Sequence, residues 1–205
     1  MKMTDLFLKS ALILGFSTAM HVSALAGENT LGLLSEEVNS AASSEVAQWG
    51  KMAGNWQVVA TVFDQDGQVT GEIIGEWNWS YILNGHAIQD VYIVPGREEQ
   101  TDASLAYFYG TNIRSFNYQK KKWDVAWINT RHEDLQLWEA EQVNDTMVMR
   151  PNRPYMDAQV GEGVIRIITF YNMTETHFSW KEDRSEDGGE TWFVSIKIEG
   201  TKVAD

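Results

Sequence analysis

The sequence predicts an all-β protein, an up-and-down antiparallel barrel of about nine or ten strands with a short N-terminal helix. Three observations predict it. From Gly54 onward, apolar and polar residues alternate with a period of two in one segment after another. Short turn sequences join these segments, and Asn84-Gly85 is the strongest hairpin signal among them. No repeated helical pattern separates the segments, so a meander that closes on itself is the arrangement that removes exposed strand edges. A two-sheet sandwich is the alternative.

Residues 1–26 read as a secretory signal. Lys2 and Lys9 give a positive start, Ala11 to Met20 form an apolar core, and Ala24-Leu25-Ala26 places small residues where a signal peptidase reads them. The apolar run is too short for a membrane span. The expected product is periplasmic or secreted and soluble, cut before Gly27. The chain has no cysteine, which excludes disulfides, thiolate catalysis and thiolate metal sites. About 179 residues remain after cleavage, enough for one domain at 53–205 behind a leader and short helical segment at 27–52. The formal net charge of −13 becomes more negative once Lys2, Lys9 and Asp5 leave. Such a chain, with scattered basic residues, is a poor partner for nucleic acid.

Between Leu33 and Met52, Leu34, Val38, Ala41, Ala42, Val46 and Trp49 recur at steps of three and four, the helical spacing. This segment is expected to pack outside the barrel or across its end. Val69 to Leu83 is the clearest strand. Val69, Gly71, Ile73, Gly75, Trp77, Trp79 and Tyr81 form one face, and Gln68, Thr70, Glu72, Glu76, Asn78 and Ser80 the other. Its length exceeds a common strand, and glycines on the apolar face permit the coiling a small barrel needs. Ala87 to Val94 returns from the turn. Tyr107 to Tyr118 and a strand from Trp123 follow, then Leu135 to Gln142 and Thr146 to Met149. Arg150 to Asp157, with two prolines, reads as a loop. Val164 to Tyr171, Thr176 to Lys181 and Trp192 to Glu199 complete the series.

Gly54-Asn55-Trp56, Trp77 through Asn84-Gly85-His86, the aromatic-rich Tyr107 to Tyr118 and the late Asp-Gly-Gly-x-Thr-Trp resemble one bacterial family. It is a lipocalin-like, calycin-type β-barrel domain of unknown function, usually exported. The resemblance covers nearly the whole chain after the leader. It implies the barrel, with Trp56 packed across a closed end, and it brings no catalytic residues.

Ser185 to Trp192 matches S-x-D-x-G-x-T-W, a pattern repeated in sialidase-like propellers. A propeller needs many copies, and one copy reads as a hairpin device in which aspartate and serine tie the turn. His86, His132 and His177 are far apart, without any metal-ligand spacing, so neither a metal nor a cofactor is expected. His86, near a rim, is the weak candidate for a general base.

Two arginines stand in apolar rows. Arg114 alternates with Phe108, Gly110, Asn112 and Phe116, and Arg166 with Val164, Ile168 and Phe170. An inward guanidinium must find an anion, because an unpaired buried charge is costly. An internal ion pair would serve, and so would the carboxylate of a ligand held inside an aromatic cavity. Trp79, Tyr109, Phe116 and Trp127 are the aromatic candidates to line that cavity. The function expected is an exported protein that binds a small apolar or amphipathic, possibly acidic, molecule. An isomerase, cyclase or lyase using the same cavity is the rival, and a solid-packed protein-interaction module is a third reading.

Overall fold

The computed structural model describes residues 33–101, 107–131, 135–152 and 163–203. The expected signal segment, the start of the leader, His132 and most of the 150–157 loop lie outside the described residues.

The described strands are β1 Gly54–Phe63, β2 Val69–Ile82, β3 Ala87–Val94, β4 Phe108–Asn117, β5 Lys122–Asn129, β6 Gln136–Val143, β7 Thr146–Pro151, β8 Ile165–Tyr171, β9 His177–Ser185 and β10 Phe193–Lys202. Each pairs antiparallel with its neighbour in sequence, and β1 pairs with β10 to close a ten-stranded up-and-down barrel. Among the described residues no helix is long and apolar enough to cross a membrane.

The helix is shorter and tighter than the spacing predicts. It is a 3₁₀ helix over Ser44–Met52, while residues 33–43 are irregular apart from a bridge between Ser35 and Tyr81. Its buried residues are Val46, Trp49 and Met52. A 3₁₀ helix has three residues per turn, so a step of three puts all of them on one face. That face enters the barrel rather than resting outside it. Trp49 is fully buried, stacked on Trp79 at 5.5 Å and edge-on to Phe170 at 5.1 Å. Trp56 seals the same end, donating its indole N–H to the Met52 carbonyl and packing edge-on to Phe178.

Alternation makes the interior faces readable. Along β2, Gly75, Trp77, Trp79 and Tyr81 are buried and the intervening residues are less so. The N-terminal half of that strand runs beyond its pairing with β3, which stops at Glu76–Ile93, so Val69 and Ile73 remain exposed. Glycine on these faces makes room. A Cβ at Gly75 would stand 2.7 Å from the Ile93 carbonyl oxygen, and one at Gly110 would strike the Trp127 ring at 2.0 Å. The β2–β3 turn takes left-handed φ at Leu83 and Asn84 as well as Gly85, one residue earlier than the Asn-Gly signal implies.

Candidate functional site

The interior divides into two halves. At the plugged end, where the 3₁₀ helix enters, Trp49, Trp56, Trp77, Trp79, Trp123, Phe170 and Phe178 are buried and in contact. Arg114 lies within this aromatic mass. Its side chain has no exposure, and its guanidinium carbon sits 4.8 Å over Trp49 and 4.2 Å over Trp79. Cation–π contact favours that sandwich.

Its charge is met from inside. Arg114 Nη1 donates to Asp90, which is also fully buried on the inner face of β3. Asp90 further accepts the indole N–H of Trp77 at 2.8 Å and the amide of Asn112 at 3.1 Å. Burial pulls the guanidinium below its ordinary value, and the Asp90 charge and hydrogen bond oppose that pull. For Arg114, then, the internal ion pair is the arrangement present.

Arg166 faces inward too, in a row with Ile168 and the buried Phe170. Its setting differs. The guanidinium lies 5.2 Å over Trp138 and Nη2 donates to the Gln136 carbonyl oxygen at 3.2 Å. Its carboxylate partner Glu182 stands at 3.9 Å and accepts a 2.8 Å hydrogen bond from Ser195. Ser195 is the residue left over where the β9–β10 register slips between Val194 and Ile196. The Arg166 side chain keeps 22% exposure although it points into the barrel. Trp127, seated on Gly110 and 6.1 Å from Phe108, and Tyr92 are also inward yet only partly buried. Solvent therefore reaches the inner face at this end, called here the wet end.

The two arginines share an interior but not a setting. Register runs from Arg114 through Val125, Trp138 and Pro151 towards the row that contains Arg166, so four strand boundaries separate them. Trp79 belongs to the plugged half and Trp127 to the wet half. Phe116 emerges at the plugged rim against Trp123 and Tyr118, lining a surface groove of about 420 Å³. Tyr109 stands on the outer face of β4, its hydroxyl paired with Gln100 at 3.1 Å, because it alternates with inward Phe108 and Gly110. It shares no space with the other four aromatic and arginine positions inside. His86 is exposed in the turn at the plugged rim, away from both arginines. Among the described residues no group of three or more histidines and carboxylates is placed to hold a metal ion.

Sequence reasoning passed over Asp90, Glu182 and Gln136. Asp90 alternates with Ile88 and Tyr92, and Glu182 with Phe178 and Trp180. A carboxylate in an apolar row is the same signal that marked the arginines, and it was legible. Trp49 carried no such mark, since nothing local says a helix will enter a barrel.

The turn Ser185 to Trp192 is the hairpin device expected. Asp187 accepts the Ser185 hydroxyl at 2.8 Å, the Glu190 and Thr191 backbone N–H groups at 3.0 and 2.9 Å, and the Thr191 hydroxyl. The Thr191 hydroxyl and N–H, then Ser185, hold the Asp187 carboxyl far below the usual range. Gly188 and Gly189 take left-handed φ. Trp192 stays 43% exposed, donating to the Gly189 carbonyl, so it closes the turn from outside.

No family model matches the chain, and no curated protein matches it significantly. Among solved structures, the chain is similar to a protein of unknown function from the DUF3598 family of Nostoc punctiforme. The two share 6% identity over 78% of this chain and all of the other, with a TM-score of 0.28. A likeness at that level carries no argument about activity. What stands is the closed antiparallel barrel.

Proposed function

We propose that this is an exported, lipocalin-like binding protein that takes a small amphipathic acid into the wet half of its barrel. One observation carries the reading. Arg166 points inward, keeps 22% exposure, and meets its carboxylate partner only at 3.9 Å. A guanidinium so placed retains donors for a ligand carboxylate, while Trp138, Trp127 and Phe108 offer apolar and stacking surface around it. The exposed Val69 and Ile73 on the overhanging part of β2 extend that apolar surface outward. The leader at residues 1–26 supports export. Arg114 drops out as an acid-binding residue, because Asp90 already neutralises it.

Calorimetry with decanoic acid and methyl decanoate tests the reading. Replacing Arg166 with leucine should weaken binding of the acid by about tenfold or more and leave the ester nearly unchanged, since hydrogen bonds to charged groups contribute about 1.5–3 kcal/mol. Equal losses for acid and ester would remove charge recognition. Native mass spectrometry of protein purified from its own host would then identify the retained molecule.

A further inference from the structure

Arg114 uses one nitrogen and leaves two. Nη1 donates to Asp90, while Nε and Nη2 find no acceptor among the described residues. The indole N–H groups of Trp49 and Trp79 are buried without an acceptor as well. These four donors lie around one point, because the guanidinium carbon is within 4.8 Å of both indole rings. Three separate parts of the chain deliver them: the 3₁₀ helix, β2 and β4. Buried polar groups in folded proteins are paired with few exceptions, so a cluster of unpaired donors marks a place where an acceptor belongs.

Charge decides what kind of acceptor. Arg114 and Asp90 cancel, and both are fully buried. An anion placed against the remaining N–H groups would leave one negative charge uncompensated among Trp49, Trp79 and Phe170, which is costly. An uncharged oxygen supplies lone pairs and adds no charge. Position decides how it arrives. The inner row of β4 runs Phe108, Gly110, Asn112, Arg114, from the wet half to the plug. Asn112 bridges the two halves, bonded to Asp90 and paired in register with Trp127.

We propose that the Nε and Nη2 edge of Arg114, with the indole N–H groups of Trp49 and Trp79, recognises an uncharged oxygen on the bound molecule, a carbonyl or hydroxyl carried on its apolar part. This rests on the binding reading above and deepens it: Arg166 takes the acid, and the Arg114 cluster takes a second, neutral oxygen. The ligand class is an oxo- or hydroxy-acid with an apolar chain.

The probes are decanoic acid and a series of keto-decanoic acids that differ only in where the carbonyl stands. Calorimetry on the full-length protein should find one keto isomer binding about tenfold or more tighter than the parent acid, the worth of a hydrogen bond to a charged donor. Trp79→Phe and Trp49→Phe each keep an aromatic ring and remove the N–H, so the keto-to-parent affinity ratio should fall towards one in each. In ¹⁵N-labelled wild-type protein, both indole N–H signals should shift with that isomer and not with decanoic acid. Equal affinity for every isomer and the parent overturns the inference, as does a keto advantage that survives both replacements. A water seen on these donors in the crystal and retained in the keto-acid complex also overturns it. If the parent acid binds without any keto advantage, the binding reading stands and this inference alone falls. If no probe binds, both fall together.

Discussion

Removing Asp90 while Arg114 remains is expected to destabilise the protein by about 3–5 kcal/mol, because it leaves a guanidinium uncompensated in a dry aromatic core. Asp90→Leu makes that test, read by urea unfolding. Taking Arg114 to methionine as well removes both charges, and the double replacement should recover most of the loss. Recovery would be incomplete, since the Trp77 indole and the Asn112 amide lose the acceptor Asp90 gives them. A double variant no more stable than Asp90→Leu would show that the charge pair is not what the core depends on. Trp56 is a simpler case. It is 1% exposed, packs on Phe178 and bonds back to Met52. Trp56→Ala should cost about 3–5 kcal/mol, the usual result for deleting a core aromatic, and an unchanged urea midpoint would count against its place in the core.

At the scale of the element, the Ser185 to Trp192 turn makes a statement about pH. Its Asp187 is a fixed acceptor for one side of the turn, and its carboxyl titrates far below the unfolded value of about 3.9. A group whose folded pKa is depressed stabilises the fold above the unfolded pKa, and that contribution fades as pH falls through the folded one. Asp187→Ala should therefore lower the urea midpoint at neutral pH, and the gap to wild type should narrow as pH drops below about 4. Ligand binding at matched folded concentration should not change. A gap that holds constant into acid would mean the carboxylate is not what ties the turn. The 3₁₀ helix teaches the opposite lesson about local signals. Val46, Trp49 and Met52 at steps of three fit a 3₁₀ helix as well as one face of a longer amphipathic one, and only tertiary packing selects between them.

Across the whole molecule, the parts of the fold that depend on alternation were legible and the parts that depend on closure were not. Inward Arg114, Arg166 and Trp127 follow from period two, and so does Tyr109 on the outer face, one residue out of step with Phe108 and Gly110. That the aromatic interior would be split, with one end plugged by Trp49, could not be read from any strand alone. Closure brings β1 against β10 across most of the chain, with Val58 opposite Gly200. Gly200 is there because Phe178 lies over it: a Cβ would meet that ring at 2.1 Å, and Phe178 is fully buried against Trp56 and Trp77. Gly200→Ala should thus push a core ring at the seam and destabilise by about 1–3 kcal/mol, the range for overpacking. Gly71, on the overhanging half of β2, has nothing within 4 Å of its Cβ position. Gly71→Ala should stabilise by about 0.4–1 kcal/mol, since alanine restricts the unfolded chain without meeting anything in the folded one. Two identical substitutions are expected to move the urea midpoint in opposite directions. If both moved it the same way, the seam between β1 and β10 would not be packed as tightly as the Phe178 ring over Gly200 requires.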